Sequence, residues 1–346
     1  MHSEQCPLAG LKVVELHAIG PVPFVGLQLQ QLGATVTRIC PPVDRAIGIT
    51  INSEADLLNH GKSQHAINLK EDAGITQLHV LINDADVLIE GFRPGVMERL
   101  GLDPTGLLKQ YPRLVVARLS GFGRQGDYAA RAGHDINYLA LSGVLAAIGP
   151  PETPAIPLNL IADFGGGAMY LLSGILAKLV QRGINGCGGL VDTSILAGTV
   201  GLTTMMHTLI ADGHWSLTRQ QNLLDGGLPF YRVYKTLDNK FMAVGALEQV
   251  FFKQLLILTN LEHSVSVDQQ YDRSTWNGMT RHFSQAFLKR TRKQWADDAH
   301  KLDCCVTPVL DFAEAAIHPH NKANKWFNTT PFPHPGHVVQ FNENHT

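Results

Sequence analysis

A histidine and an aspartate stand side by side in the segment AGHDINYLALSG, residues 132–143, where a helical apolar pattern begins. Imidazole can accept and donate a proton near neutral pH, so His134 is a candidate proton-transfer group at a helix start. A structural interpretation is also open from the residues alone. In it, His134 is a core histidine bonded to a backbone carbonyl, and Asp135 is a helix N-cap that accepts hydrogen bonds from the amides of Asn137 and Tyr138.

A second aspartate, Asp163, precedes three consecutive glycines in the segment LNLIADFGGG. Its position before a long apolar run is typical of a helix N-cap. The glycines at 165–167, however, each cost about 0.5 to 1 kcal/mol in a helix relative to alanine. A ligand lying against bare backbone, with helix-start amides directed at a developing negative charge, would explain them. Glu248, in VGALEQVFF, is ordinarily a first-turn glutamate favoured by the helix dipole.

Short β-like runs alternate with helical patterns over the first 120 residues. The runs are rich in Val, Ile and Leu and are bounded by Gly or Pro, as strands are. Between them, PFVGLQLQQLG predicts a helix that ends at Gly33. The alternation predicts an α/β fold with a parallel, Rossmann-like sheet covered by helices on both faces. The predicted strands span residues 11–18, 34–40, 86–92 and 113–122.

Helical patterns dominate from residue 135 to residue 212. One long helix is predicted to begin at Asp163 and to keep a 3.6-residue apolar period until Gly183. A second long helix is predicted over residues 192–213.

Composition changes at the end of this second helix. The segment LPFYRVYKTLDNKFMAVGAL predicts a β-hairpin that turns at Asp238 and Asn239, followed by helices. We therefore predict a large domain over 1–213, completed by the irregular segment 319–346, and a small α+β domain over 214–318. The predicted helices of the small domain span 249–260, 276–289 and 292–301.

The composition limits the function classes. The 346 residues are 45% hydrophobic and 17% charged with a net charge of −2, which is typical of a globular chain and gives no overall field for binding nucleic acid. Five scattered cysteines without CxxC spacing predict neither a disulfide framework nor a metal site. The longest apolar run contains Lys178 and is too short to span a bilayer. Neither a secretory signal nor a terminal Ser-Lys-Leu address is present, so we expect a cytoplasmic protein, with mitochondria or peroxisomes left open for a eukaryotic one.

The turn after the first predicted strand contains no phosphate-binding motif. It reads AIGPVPFVG, so the GxGxxG fingerprint of nicotinamide enzymes is missing, and no GxxxxGK[ST] loop occurs. Basic residues nevertheless collect near the predicted strand ends, either as phosphate partners or as ordinary surface charge. They are Lys62, Lys70, Arg93, Arg99 and Arg118.

Six motifs resemble CoA-transferase family III, the CaiB/BaiF-like group, in order over about residues 8–327. They are AGHDINYLALSGVL, PLNLIADFGGG, VLIEGFRPGVMERLGL, NLLDGG followed by PFY, FMAVGALE and CVTPVL. The resemblance implies an interlocked homodimer in which each chain joins a Rossmann-like CoA-binding domain to a small domain through long helices. It places the active site where the large domain of one subunit meets the small domain of the other. It implies an acyl-CoA substrate, no separate cofactor and no metal.

The resemblance also assigns roles to the candidate residues. His134 and Asp163 correspond to the family's two proton-transfer groups, and Glu248 to the glutamate that bonds and orients the histidine. The implied reaction interconverts (2R)- and (2S)-2-methylacyl-CoA thioesters through an enolate, with one group removing the α-proton and the other returning it. Amides near Asp135 and Asp163 would bond the enolate oxygen, and the glycines would leave room for the thioester.

Contacts to CoA are implied in three segments and at one further arginine. Lys70, Arg93 and Arg99 are the natural partners of phosphate or adenine among them. The implied contacts are Ile67, Asn68, Leu69, Lys70, Gly91, Phe92, Arg93, Arg99, Gly133, Asp135, Ile136, Asn137 and Tyr138.

Two departures from the family pattern concern CoA. Cys40-Pro41-Pro42 stands where the family has an acidic residue followed by Arg-Pro, so the arginine expected on CoA is missing at Pro41. Arg38 and Arg45 are candidate substitutes. The family's Gly-Lys-Gly-Gln turn is GCGG at 186–189.

Two other functions fit the same residues. In CoA transfer between acids, Asp163 would attack the thioester and form a mixed anhydride. A non-catalytic acyl-CoA-binding relative would explain the missing arginine. The presence of His134, Asp163 and Glu248 together favours the racemase.

Overall fold

The computed structural model describes residues 6–43 and 51–341, and they form two compact units. The first contains the described residues up to Leu145 together with Ile156–Met205. The second contains Ala146–Ala155 and Met206–Val338. Each unit has its own sheet and core.

The first unit is built on a six-stranded parallel sheet with strand order β3-β2-β1-β4-β5-β6. This is the doubly wound order in which the chain changes direction between β1 and β4. The predicted α/β class with a Rossmann-like sheet is confirmed. The strands are β1 Lys12–Leu16, β2 Thr35–Cys40, β3 Ser63–Ala66, β4 Val87–Glu90, β5 Val115–Ser120 and β6 Gly189–Ser194.

Two apolar clusters cover the two faces of this sheet. Consecutive residues of a strand point to opposite faces, so Val115 packs into one cluster and Val116 into the other. Every residue of β4 and β5 is buried, as expected for central strands with helices on both sides.

The helices up to residue 211 lie between and after these strands, singly or in groups. A π-helix, Leu160–Ala168, continues directly into α7. The α-helices are α1 Pro21–Gln31, α2 Asp72–Asn83, α3 Val96–Arg99, α4 Pro104–Gln110, α5 Asp135–Ser142, α6 Val144–Ala147, α7 Met169–Asn185, α8 Ile195–Leu202 and α9 Thr204–Ala211.

The second unit contains a three-stranded antiparallel sheet, β7-β8-β9, packed on helices. The predicted hairpin is confirmed, and Asn239 in its turn has the left-handed φ of 61°. The elements are β7 Tyr231–Lys235, β8 Phe241–Gly245, α10 Gln249–Thr259, α11 Trp276–Phe287, α12 Arg292–Ala299, β9 Val306–Pro308, α13 Phe312–Ile317, α14 Pro319–Ala323, β10 Phe327–Asn328 and β11 His334–Pro335, with 3₁₀ turns at Val267–Gln269 and Arg273–Thr275.

Several elements differ from the sequence prediction. The helix predicted over 192–213 is the end of β6 followed by α8 and α9, because the segment GLVDTS pairs with β5 along its whole length. The segment predicted as irregular, 319–346, contains α14 and the β10–β11 ladder. Residues 319–338 group with the second unit, where α14 packs on α13, whereas the predicted division placed them with the large domain.

Among the described residues, one helical segment, Leu160–Asn185, is long and apolar enough to cross a membrane by length and composition alone. Core helices of globular proteins pass the same test, and this segment packs on β5 and β6. No membrane span is indicated.

Candidate active site

The candidate site residues of the first unit gather at the carboxyl edge of the parallel sheet. Two predicted CoA segments begin where strands end, since residues 67–70 follow β3 and residues 91–93 follow β4. The third reaches the same edge through Tyr138, which packs against Gly121, the residue after β5. A Cβ on Gly121 would lie 2.4 Å from the Tyr138 hydroxyl oxygen. In doubly wound sheets this edge, at the point where the strand order reverses, is where ligands bind.

Asp163 lies inside the π-helix Leu160–Ala168 and does not cap a helix start. Its backbone N–H donates a 2.7 Å hydrogen bond to Oδ1 of Asp135, which ties the π-helix to α5. Its carboxylate faces the start of α1, since a Cβ on Gly20 would lie 3.5 Å from Asp163 Oδ2. The predicted N-cap interpretation of Asp163 is therefore wrong.

The carboxyl group of Asp163 is electrostatically unusual. Burial, followed by the charge of Asp135, raises its pKa to about 6, against the opposing effects of a hydrogen bond from Asn159 and the charge of His134. A pKa near 6 lets one carboxyl group both accept and donate a proton near neutral pH.

His134 is the N-cap residue of α5 and its side chain is exposed. Its backbone N–H donates a 3.0 Å hydrogen bond to Oδ1 of Asn137, which fixes the first turn. Because its charge acts on the pKa of Asp163, the two side chains lie within electrostatic reach of each other. Asp135, expected as an N-cap, is instead the first helical residue and accepts the amide of Asp163.

Tyr138 connects the aspartate to the CoA segments. Its hydroxyl donates a 2.7 Å hydrogen bond to the carbonyl oxygen of Gly133. Burial, followed by the charge of Asp163, raises its pKa to about 12, against the opposing charge of Arg93. Tyr138 therefore lies near both Asp163 and Arg93, and at pH 7 it is a neutral hydrogen-bond donor.

Two of the glycines after Asp163 serve helix packing, and room for a thioester stays a prediction for the half-buried Gly165 alone. A Cβ on Gly166 would lie 2.6 Å from the backbone nitrogen of Thr199, and a Cβ on Gly167 would lie 2.9 Å from Ile195 Cγ1. Both glycines are buried against α8. The facing Gly198 is equally constrained, because its Cβ would lie 1.8 Å from the Gly166 carbonyl oxygen.

The predicted CoA residues divide into exposed and buried groups. Lys70, Arg93 and Arg99 are exposed, and none of them takes part in a salt bridge within the described residues. Ile67 is buried in the core and Leu69 packs against it, so their side chains support the fold. The intermediate or exposed residues are Asn68, Gly91, Phe92, Gly133, Ile136 and Asn137, whereas Asp135 and Tyr138 are buried.

The missing CoA arginine has no substitute among the described residues. Arg38 is buried, with Nη2 2.9 Å from His17 Nδ1 and Nε 3.8 Å from Glu15 Oε1, and it belongs to an internal ion cluster. Arg45 lies outside the described residues. The GCGG turn keeps its glycine conformations, with φ of 77° at Gly186 and 151° at Gly189.

Glu248 belongs to the second unit. It is the N-cap residue of α10, where its side chain makes no capping hydrogen bond and is exposed. Burial is the main cause of the raised pKa of Tyr271, and the charge of Glu248 raises that pKa further. Its role in orienting His134 stays a prediction.

No metal centre is found among the described residues, and one predicted site residue, Ile67, lines a cavity of 270 Å³ beside β3. Residues 6–43 and 51–341 contain no group of three or more His, Cys, Asp or Glu side chains able to hold a metal ion. A cavity of 890 Å³ lies over β7 and β8 in the second unit, and no predicted site residue lines it.

Sequence reasoning missed the supports of the site. The bond from Asp163 to Asp135, the approach of Gly20 and the hydrogen bond from Asn159 depend on long-range packing. Glu90, the last residue of β4, is a buried charged residue near the site. The sequence does offer a signal for it, because it ends the apolar run VLIE.

Together, the fold and the site define an α/β protein in which two candidate proton-transfer groups, His134 and Asp163, lie near one another at the carboxyl edge of a parallel sheet. The sequence of residues 8–346 matches the family model of CoA-transferase family III. The chain belongs to this family, and the resemblance inferred from the motifs is confirmed.

Curated relatives include both an isomerase and a transferase. The chain is 44% identical to mouse α-methylacyl-CoA racemase over 337 residues, covering 96% of this chain and 86% of that protein. It is 30% identical to acetyl-CoA:oxalate CoA-transferase of Acetobacter aceti, covering 92% of this chain and 84% of that protein. A CaiB/BaiF family structure from Brucella suis has a TM-score of 0.83 at 23% identity, covering 98% of this chain and 93% of that one, and supports the fold alone.

Proposed function

We propose that this protein is an isomerase that interconverts (2R)- and (2S)-2-methylacyl-CoA thioesters. The observation that carries the proposal is the arrangement of Asp163 and His134. The backbone N–H of Asp163 is bonded to Asp135 at the start of α5, where the exposed His134 is the N-cap residue, and burial raises the pKa of Asp163 to about 6. The similarity to the mouse racemase supports the same reaction.

Inversion requires two proton transfers on opposite faces of the α-carbon. In one direction neutral His134 removes the α-proton and protonated Asp163 delivers a proton to the other face. In the reverse direction ionised Asp163 removes the proton and protonated His134 returns one. Each turnover leaves the pair in the state required for the opposite direction, so no cofactor is needed.

Enolate stabilisation requires donors that are not already engaged. The amide of Asp163, which we expected to contribute, is bonded to Asp135. The N–H groups of Asp135 and Ile136 lie in the first turn of α5, where no intrahelical acceptor exists, and they remain the proposed donors.

The exposed cations of the carboxyl edge are the proposed CoA partners. Lys70, Arg93 and Arg99 are free to contact phosphate groups, which they would bind through charge-assisted hydrogen bonds. Pro41 stands where the family has an arginine that contacts CoA. In this protein Lys70, Arg93 and Arg99 are therefore proposed to contact CoA without that arginine.

We propose a homodimer from the apolar surface of the first unit. Exposed apolar surface marks interaction sites, and the π-helix, α7 and α8 carry several exposed apolar residues. Light scattering tests it: a mass of twice 37.8 kDa is expected, and a monomer at micromolar concentration would contradict it. The exposed residues are Leu160, Met169, Tyr170, Val180, Ile184, Val200 and Leu202.

We also propose a reducing compartment, either the cytoplasm or the interior of an organelle. None of the five cysteines, all of which lie in the described residues, forms a disulfide. Cell fractionation tests this proposal.

The decisive experiment follows the α-hydrogen of each 2-methylacyl-CoA enantiomer in deuterated water by NMR. The wild type is expected to exchange and epimerise both. His134→Ala should abolish exchange for at least one enantiomer, and Glu248→Gln should slow the same one. Unchanged rates from both enantiomers in His134→Ala would place the base elsewhere.

The same samples test CoA transfer. If Asp163 is a nucleophile, then CoA passes to an added free acid with ping-pong kinetics and the α-hydrogen is retained. That outcome would replace the racemase proposal.

A further inference from the structure

A buried glutamate ends the central strand β4. All four residues of VLIE are buried, and Glu90 is 2% exposed. An isolated carboxylate is strongly unfavourable in such a place, so neighbouring groups must stabilise it. The strand next to β4 is β1, and the two flank the point where the strand order reverses.

The carboxylate of Glu90 closes the turn that follows the strand. Its Oε2 accepts a 2.6 Å hydrogen bond from the backbone N–H of Phe92, two residues ahead. Its Oε1 lies 3.3 Å from Nε of the buried Arg118 on β5. A side chain that bonds its own backbone two residues on defines how the chain leaves a strand.

Arg118 is itself held by a chain of charges. Its Nη2 lies 3.2 Å from Glu98 Oε1, which also receives Arg124 Nη2 at 2.9 Å. Arg124 Nε lies 3.7 Å from Asp192 Oδ2 on β6. The network joins the end of β4 to α3, β5 and β6 and fixes the orientation of the Glu90 carboxylate.

The other side of the turn packs against the start of α1. A Cβ on Gly91 would lie 2.8 Å from Val22 Cγ2 and 3.2 Å from Ala18 Cβ. The same loop brings Gly20 to the carboxylate of Asp163. The turn is therefore held between Glu90 and the segment that touches the proposed acid-base residue.

We propose that Glu90 is a positioning residue for CoA binding, acting through the Phe92 amide and Arg118 to hold the turn that presents Arg93. Glu98 of the same network lies on α3, the helix that ends at Arg99. This inference rests on the proposed function, in which residues 91–93 and Arg99 contact CoA. Glu90 itself does not touch the substrate.

Protonation of Glu90 makes this support pH-dependent. Burial raises its pKa to about 7, opposed by the hydrogen bond from the Phe92 amide. The charged groups that face it are Arg118, Arg124, Glu98 and Asp192. As pH falls through about 7, Glu90 loses its charge and its ion pair with Arg118. CoA binding should then weaken.

Calorimetric titration of the full-length protein with CoA at pH 6, 7 and 8 tests the proposal, alongside steady-state α-proton exchange. At pH 8, Glu90→Gln should weaken CoA binding and raise KM about tenfold, the effect of losing roughly one charge-assisted hydrogen bond, with kcat changed less than about threefold. Its affinity should also depend less on pH than that of the wild type. The phosphates of CoA titrate equally with both proteins, so the difference reports Glu90.

Asp86→Asn is the matched control, because Asp86 directly precedes β4 and pairs with Arg182 at 2.9 Å. It removes an ion pair at the opposite end of the same strand and should leave CoA affinity unchanged. If Glu90→Gln does not fold, Arg118→Lys keeps the positive charge but loses the bridge to Glu98, and a smaller weakening is expected.

Folded Glu90 or Arg118 variants that bind CoA like the wild type at every pH would overturn the proposal. Equal weakening in Asp86→Asn would do the same. Failure of the racemase proposal is separate, since it is read from α-proton exchange by the wild type.

Discussion

Replacing Asp163 by asparagine should abolish racemisation and stabilise the fold at neutral pH. The carboxyl pKa is raised from 3.8 to about 6, chiefly by burial, so the ionised form is disfavoured in the folded protein. Below pH 4 the group is protonated in both folded and unfolded chains and costs nothing. As pH rises through 6 the folded protein must hold an unfavourable charge, and stability is lost.

The size of the effect follows from the shift. Two pKa units correspond to about 3 kcal/mol, which is an upper limit because the carboxyl group is partly solvated, and about 1 to 2 kcal/mol is expected. Asparagine has the same shape and no charge, so Asp163→Asn should exceed the wild type by that amount at pH 7.5. The advantage should disappear at pH 4.

Urea unfolding at fixed protein concentration, followed by circular dichroism at pH 4, 5, 6 and 7.5, measures the difference between the two proteins. All other titrating groups are common to both and cancel. A stability difference that does not grow with pH would refute the raised pKa. An Asp163→Asn protein that still epimerises both enantiomers would refute the role of the carboxylate.

Three further predictions concern the supports of the site and the CoA cations. In urea unfolding, Lys62→Met should destabilise the protein by about 3 to 5 kcal/mol. In the wild type the Lys62 ammonium group lies 2.7 Å from the buried carboxylate of Glu15, and the substitution removes that positive charge. Gly198→Ala should cost about 3 kcal/mol by forcing α8 off the π-helix, whereas Gly183→Ala, with open space around its Cα, should gain about 0.5 to 1 kcal/mol. Arg93→Ala should raise KM for acyl-CoA about tenfold and make KM less sensitive to salt, as measured by exchange kinetics from 0.05 to about 0.5 M ionic strength.

Each of these has a clear contrary result. A loss below about 1 kcal/mol in Lys62→Met would mean that water reaches the cluster. Equal stability of the two glycine variants would show that the helix contact tolerates a methyl group. A salt-dependent KM that is unchanged in Arg93→Ala would assign the phosphate contact to other cations.

The sheet was predictable from sequence wherever a strand is buried on both faces. β4 and β5 are continuous apolar runs, and their positions agree with the predicted strands. The edge strand β3, with the sequence SQHA, carries no apolar pattern and is stabilised by its pairing with β2. The polar end of β6 was assigned to a helix for the same reason, since only its pairing with β5 reveals it.

The candidate site was predictable as a set of residue types and not as an arrangement. His134 and Asp163 stood out because titratable groups interrupt apolar segments. The glycines at 165–167 stood out as well, but local cost alone could not distinguish room for a ligand from close packing of helices. For Gly166, the close approach of Thr199, which lies far along the chain, shows that the reason is helix packing.

The separation between the two proposed proton-transfer groups, His134 and Asp163, is set by a helix that carries neither of them. α5, which begins after His134, and the π-helix, which holds Asp163, both pack on α8. The contact is close because glycine backbones meet directly, with Gly198 against Gly166. The hydrogen bond from the Asp163 amide to Asp135 then locks the two helices to each other. Racemisation needs two groups at a fixed spacing across one carbon, and two helices that both pack on α8 and are tied to each other by a hydrogen bond supply that spacing more rigidly than loops would.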